Sequence, residues 1–340
     1  MRRVTIFTLV GANNIGAFLQ GFALKEVLAR FGYEVEFGVM PSHGKKDSKL
    51  SRVGYYMKHG NIKLLGYKMI TARKYEQMRK HLVFRNITED EVLDVVVVGS
   101  DEVWNLESSS FYHHPQYFAK KLKAKKMISY AACCGNCSKE KLIENGLDFS
   151  GFDHISVRDA YTSDFVCSVD SRTPEIVLDP TFLLSSYESY LPDIAAKDYI
   201  MIYSYGLVKN AIALVKKFAK QTGLKKYSVG TYNSWCDKNI TADPFTMLAY
   251  LKNAAYVVTS TFHGTALSIK FNKEFTVFAG NGQKVLSLLN TFSLMSRDAS
   301  ESADLKSIFS DPIDYRYVNS VLTDEIDKSV AYLTKAIFGE

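Results

Sequence analysis

Residues 255–275 read AYVVTSTFHGTALSIKFNKEF, and the fold turns on this stretch. Ala255–Val258 is a small, apolar, β-branched run, which predicts a strand buried on both faces in a parallel sheet. Thr259, Ser260 and Thr261 follow, and a hydroxyl there caps a helix by accepting from its first N–H groups. Gly264 permits close backbone approach to a ligand. Ala266, Leu267, Ile269 and Lys270 continue at helical spacing. A strand running through a hydroxyl-rich loop into a helix aims unpaired N–H groups at the loop, which makes an anion site. His263 stands in that loop. From Pro244 to Lys273 the chain has no Asp or Glu, so nothing acidic in the segment repels an anion. The competing reading of His263 is a helix-capping or core histidine.

The start of the chain has the same grammar. Val4–Val10 predicts a first strand, and Gly11, Asn13 and Asn14 a turn. Ile15, Phe18, Leu19, Phe22, Ala23, Val27 and Leu28 then repeat at helical spacing, and Tyr33–Val39 predicts a second strand. This βαβ unit implies a parallel sheet with ligands at the carboxyl ends of its strands, where Asn14 and Gly16 lie. No GxGxxG is present, so no dinucleotide site is assigned. Asp94–Val98 (DVVVV) is the next buried strand. Gly99, Ser100, Asp101 and Glu102 follow it, which makes the two acids pocket candidates; the alternative for Asp101 is a helix N-cap. Further strands are expected at Lys126–Ala132 and His154–Val157, the latter ending at Arg158, a side chain suited to bidentate recognition of carboxylate or phosphate. Asp179-Pro180-Thr181 closes a first domain of residues 1–180. The second, 181–340, has strands at Tyr199–Tyr203, Lys226–Val229 and Phe275–Phe278 beside the opening stretch. Its last helix, Thr323–Phe338, is expected to pack back on the first. Two doubly wound, Rossmann-like α/β domains facing a cleft account for the pattern.

Composition narrows the function classes. With 340 residues, 47% of them hydrophobic, the chain has material for two cores. No apolar run is long enough to span a bilayer. The first residues do not read as a signal peptide, because Val4–Val10 is β-rich and no cleavage pattern follows. Five cysteines without a signal point to reduced thiols and a cytoplasmic protein. Cys134 and Cys137 form a CxxC without the further ligands a zinc site needs, so small buried thiols are the better reading. The net charge of +6 is uneven: residues 41–85 hold twelve Lys/Arg against Asp47 and Glu76. Residues 41–88 therefore read as a basic helical insertion. Its charge suits an anionic lipid headgroup, a polyanion or a pyrophosphate-linked substrate, and a peripheral contact at the inner membrane face is expected through 41–85. No nucleic-acid-binding signature accompanies it.

Six blocks, in order, resemble the polysaccharide pyruvyl transferase family: NNIGAFLQGFAL (13–24), DVVVVGSDEVWN (94–105), ISYAA (128–132), ISVRD (155–159), VLDPT (177–181) and TSTFHGTALSI (259–269). The resemblance implies a fold like that of two-domain GT-B glycosyltransferases. It also implies transfer of a pyruvyl group from phosphoenolpyruvate to two hydroxyls of a saccharide acceptor, with release of phosphate. Arg158 and His263 match the positions that the family associates with the donor. On this reading Arg158 holds its carboxylate or phosphate, and His263 protonates the methylene or stabilises the leaving phosphate. Asp101 or Glu102 takes a hydroxyl proton. Ser100, Thr259, Ser260, Thr261 and Gly264 line the donor site, and Asn14 and Gly16 face it from the first domain. No cofactor or metal is required. The chain departs from the family at Glu102, where Gln is common, at Cys133, where Ser is common, and at Gln283-Lys284, where an Arg is common; Lys284 keeps the charge for an anion contact but not the fork. The rival readings are a nucleotide-sugar glycosyltransferase of the same fold, against which the acid-free span speaks, and a non-catalytic module that binds polysaccharide or anionic lipid.

Overall fold

Valine-rich runs bounded by turns form two parallel sheets. The computed structural model describes residues 2–10, 14–40, 62–107 and 114–339. In the first sheet β1 (Arg3–Phe7), β2 (Glu34–Val39), β3 (Phe84–Asn86), β4 (Val92–Val98) and β5 (Lys123–Ser129) stand in the order β3-β2-β1-β4-β5. β6 (Ser156–Val157) pairs with β7 (Glu175–Ile176), and β6 approaches β5 through the bridges Ile128–His154 and Ala132–Val157. In the second sheet β8 (Ile200–Tyr203), β9 (Lys226–Val229), β10 (Lys238–Ile240), β11 (Tyr256–Thr259) and β12 (Phe275–Val277) repeat that order as β10-β9-β8-β11-β12. Every pairing in both sheets is parallel. The order reverses beside β1 in one sheet and beside β8 in the other, and such switch points are where open α/β sheets bind ligands.

The helices are α1 (Ile15–Arg30), α2 (Ile62–Met78), α3 (Lys139–Glu144), α4 (Ala160–Cys167), α5 (Pro180–Leu183), α6 (Lys209–Thr222), α7 (Pro244–Asn253), α8 (Phe262–Lys270), α9 (Gln283–Thr291), α10 (Leu305–Phe309) and α11 (Tyr315–Phe338). α1 starts where Asn14 accepts a hydrogen bond from the Ala17 amide at 3.1 Å. It is buried without a break from Ile15 to Leu24, more than a one-faced helix needs, because it lies between the domains. Phe18 and Phe22 stand 6.0 and 5.1 Å, ring centre to ring centre, from Phe245 of α7. One apolar cluster therefore runs from Val4 and Ile6 through these rings to Val257 and Phe275. Burial of each such side chain stabilises by roughly 1.5–3 kcal/mol, so this joint holds the two sheets in register. α11 returns to the first sheet: Ser329 Oγ accepts from the Leu178 amide at 2.9 Å, and Tyr332 donates its hydroxyl to the Ser129 carbonyl at 2.8 Å.

The structure corrects several sequence readings. Residues 41–88 are not all helical where described, because Phe84–Asn86 is an edge strand with Phe84 opposite Phe37. The run of basic residues masked its alternation. β10 carries few apolar side chains and was also missed. The final helix begins eight residues before Thr323, at Tyr315, capped by Asp314. Asp101 is not a helix cap: its φ is 73° and it bridges to Ala132. Residues 11–13 and 41–61, including Asn13 and much of the basic stretch, lie outside the described residues.

Candidate active site between the two sheets

Arg158 follows β6, and its side chain is only 1% exposed. NH1 donates to Asp179 Oδ2 at 3.0 Å, and NH2 lies 3.9 Å from Asp101 Oδ1. The guanidinium carbon sits 4.0 Å from the centre of the Phe262 ring, a stacking that fixes its plane. Nε and NH2 are buried without a hydrogen-bond partner. Burial opposes the charge, but the Cys133 sulfur and the carboxylates of Asp179, Asp101 and Asp159 outweigh it and push the pKa above the ordinary arginine value. Arg158 is thus a permanent cation with donors to spare.

Asp179 is the centre of the constellation. Its Oδ2 accepts from Arg158 and from Ser100 Oγ at 2.9 Å. Its Oδ1 accepts from the amide and hydroxyl of Thr181 at 3.0 and 2.8 Å. Burial alone raises a carboxyl pKa; His263, Arg158 and the Thr181 amide reverse that and hold Asp179 well below the usual carboxylate range. His263 Nε2 lies 3.7 Å from Asp179 Oδ2, beyond hydrogen-bond reach, and has no other partner. The acid-free span of sequence therefore acquires an acid from the other domain. A Cβ on Gly16 would come within 2.1 Å of His263 Nδ1, so only glycine lets the first turn of α1 lie against the imidazole.

The other candidates divide into groups. Glu102 and Lys284 form an ion pair across the domains, so two of the three departures from the family pattern meet each other. Asn105 Nδ2 also donates to Glu102 Oε2 at 2.7 Å. Burial raises the Glu102 pKa, and Lys284 and Asn105 together bring it below the usual glutamate value. Thr259, Thr261 and Gly264 build the loop itself. Thr259 Oγ1 donates to the Tyr203 carbonyl at 2.7 Å, and Thr261 Oγ1 accepts from the Gly264 amide at 2.9 Å. A Cβ on Gly264 would collide with Thr259 Oγ1 at 2.1 Å, so this glycine serves the packing of the loop. Ser260 Oγ pairs with Ser204 Oγ at 2.6 Å, at the ends of adjacent strands β11 and β8. Asn14 acts as the α1 cap. Cys133 is buried, with its thiol 3.2 Å from Asp159 Oδ2; burial pushes its pKa up to about 11.

Asp179 and Phe262 are the site residues that the sequence reading left out. Asp-Pro-Thr reads locally as a helix N-cap, and the Thr181 contacts are that cap. The other carboxylate oxygen does the long-range work, and only its place beyond β7, beside Arg158 beyond β6, hints at it. A cavity of about 30 Å3 beside Arg158, Asp179, Phe262 and Lys284 is water-sized. Two larger cavities lie elsewhere, about 380 Å3 among Lys216, Lys220, Lys225, Lys226 and Lys238 and about 520 Å3 beside Cys137 and Cys167. Neither touches Arg158 or His263, so the buried ionisable groups, not cavity size, locate the site. Among the described residues no cluster of three or more His, Cys, Asp or Glu is arranged to hold a metal ion.

Fold and site together define a two-domain α/β protein of the GT-B type, with spare cationic donors buried between its sheets. Solved structures share the fold. A protein assigned as a UDP-N-acetylglucosamine 2-epimerase from Listeria monocytogenes is 8% identical, with 99% of this chain and 97% of that one covered, at a TM-score of 0.57. A UDP-N-acetylglucosamine 2-epimerase is 9% identical over 100% and 98% of the chains (TM-score 0.54). The UDP-GlcNAc 2-epimerase from Neisseria meningitidis, bound to UDP-GlcNAc, is 8% identical over 98% and 100% (TM-score 0.51). At such identities these show the fold alone. No curated protein matches the sequence. The chain belongs to the polysaccharide pyruvyl transferase family, whose sequence model matches residues 14–282.

Proposed function

We propose that the protein transfers the pyruvyl group of phosphoenolpyruvate to two hydroxyls of a saccharide, forming a cyclic ketal and releasing phosphate. The observation that carries this reading is Arg158: a buried, permanent cation with Nε and NH2 unspent, next to His263 Nε2, also unspent. A carboxylate or phosphate of the donor satisfies these groups. Asp179, 3.7 Å from Nε2, stabilises the protonated imidazole. That imidazolium delivers a proton to the donor methylene, and C2 becomes electrophilic. One hydroxyl adds to C2, phosphate leaves, and the second hydroxyl closes the ketal. The two protons lost by the hydroxyls balance those gained by the methyl group and by the departing phosphate. Asp101, at a positive φ beside Arg158, faces the same space as a base. Glu102 is held by Lys284 and does this work only when that pair opens. The water-sized cavity implies that the domains part to admit the donor.

Calorimetric titration with phosphoenolpyruvate, against a nucleotide diphosphate sugar, tests the reading on wild type, Arg158→Ala and His263→Ala. Saturable phosphoenolpyruvate binding lost in Arg158→Ala is expected. Binding of the nucleotide sugar alone moves the assignment to glycosyl transfer.

A further inference from the structure

Helix α2 has two faces of different character. Tyr67, Thr71, Tyr75 and Met78 recur at helical spacing and are buried. Tyr67 donates its hydroxyl to the Ile240 carbonyl at 3.0 Å, and Lys74 Nζ donates to the Thr241 carbonyl at 2.6 Å. The Tyr67 ring stands 5.5 Å from that of Tyr232. This face fixes a helix of the first domain to the carboxyl end of β10, the edge strand of the second sheet; Ser204 and Ser260 lie at the same end of the sheet, beyond the interior strands β8 and β11. The opposite face is neither packed nor simply polar. Ile62 and Met69 are 72% and 62% exposed, and Ile70 on its flank is 51% exposed. At 100° per residue, Ile62, Met69 and Arg73 fall within an arc of about 40°, opposite the buried tyrosines. Arg73 is exposed on that stripe and Lys63 on its flank, while Glu76, the one acid in the helix, falls within about 40° of Ile62.

Single exposed apolar side chains are ordinary, but two successive ones on the outer stripe of a basic helix are not. Water gains nothing from them, and among the described residues no protein segment covers them. Exposed apolar side chains on a helix with four Lys/Arg and one acid match the boundary of an anionic lipid layer, where the acyl region takes the apolar atoms and the headgroups neutralise the cations. The charge of the flanking sequence agrees, since residues 41–61 hold five Lys/Arg and one Asp. No helix among the described residues is long and apolar enough to cross a membrane, so the contact is with the surface.

We propose that the outward face of α2, centred on Ile62, Met69 and Arg73, docks on an anionic lipid surface. Docked in this way, α2 lies between the membrane and the carboxyl end of β10, the edge strand of the second sheet. The proposal does not depend on the identity of the donor.

Co-sedimentation of the full chain with vesicles tests it, comparing phosphatidylcholine alone with phosphatidylcholine containing phosphatidylglycerol. Wild type is expected to partition onto the anionic vesicles at least about thirtyfold more strongly. Lys63→Gln with Arg73→Gln lowers that partitioning about thirtyfold, at roughly fivefold per charge. Ile62→Gln with Met69→Gln lowers it about tenfold with the charge unchanged. Both pairs lie on the surface, so thermal unfolding and phosphoenolpyruvate binding stay as in wild type. Equal partitioning onto the two vesicle types overturns the proposal. So does full vesicle binding by the Ile62/Met69 variant, which assigns any adsorption to the remaining basic residues.

Discussion

Replacing Asp179 by Asn isolates the charge that balances Arg158. The amide keeps an acceptor for the Thr181 amide and hydroxyl, now at 3.0 and 2.8 Å from Oδ1, so the local turn survives. The buried guanidinium loses its one contact at 3.0 Å and is left with Asp101 at 3.9 Å. Breaking a buried pair from one side costs roughly 3–5 kcal/mol, because the remaining charge is uncompensated. With a urea slope of about 3 kcal/mol per molar, the unfolding midpoint falls by roughly 1–1.7 M. The stranded cation has a second consequence. Any anion that fills the site replaces the missing carboxylate, so inorganic phosphate should stabilise Asp179→Asn more than wild type. Saturation at a hundred times the dissociation constant contributes about 2.7 kcal/mol. The assay is urea unfolding followed by fluorescence and circular dichroism, in phosphate and in chloride at matched ionic strength. The reasoning fails if Asp179→Asn unfolds within about 1 kcal/mol of wild type, or if phosphate helps it no more than chloride does.

Gly16→Ala puts a methyl group where His263 Nδ1 stands, 2.1 Å from the new Cβ. The ring must move, and a misplacement of this size lowers turnover about a hundredfold while the protein stays folded; initial rates beside a thermal melt check it. Glu102→Gln restores the residue common in the family and breaks the pair with Lys284 across the domains. The folded-state pKa of Glu102 lies below its ordinary value, so this group's contribution to stability is present above the unfolded pKa and is lost as pH falls through the folded one. Wild type should therefore exceed Glu102→Gln by about 1–2 kcal/mol at neutral pH and lose that margin in acid below about pH 4; urea midpoints across pH 3–7 would show it.

The sequence by itself determined the architecture and half of the site. Val257 and Val258, Val95–Val98 and Val4–Ile6 are buried strand residues because fully covered parallel strands admit little else. The loop after β11 was legible because Thr261 caps α8 through a bond three residues away, a contact with local spacing. Arg158 and His263 were legible through their blocks. Tertiary structure decided what joins them. Asp179 lies 84 positions before His263 and shares an oxygen between Arg158 and Ser100, while its neighbours in sequence report only a helix cap. Glu102 and Lys284 look like two unrelated departures, and the fold makes them one ion pair over 182 positions. The two faces of α2 likewise cannot be told apart from periodicity, since tyrosines on one side and Ile62 and Met69 on the other are both apolar. Local bonds leave their mark in spacing. Charge pairing across a cleft depends on distances that only the packed sheets set, and no pattern along the chain encodes them.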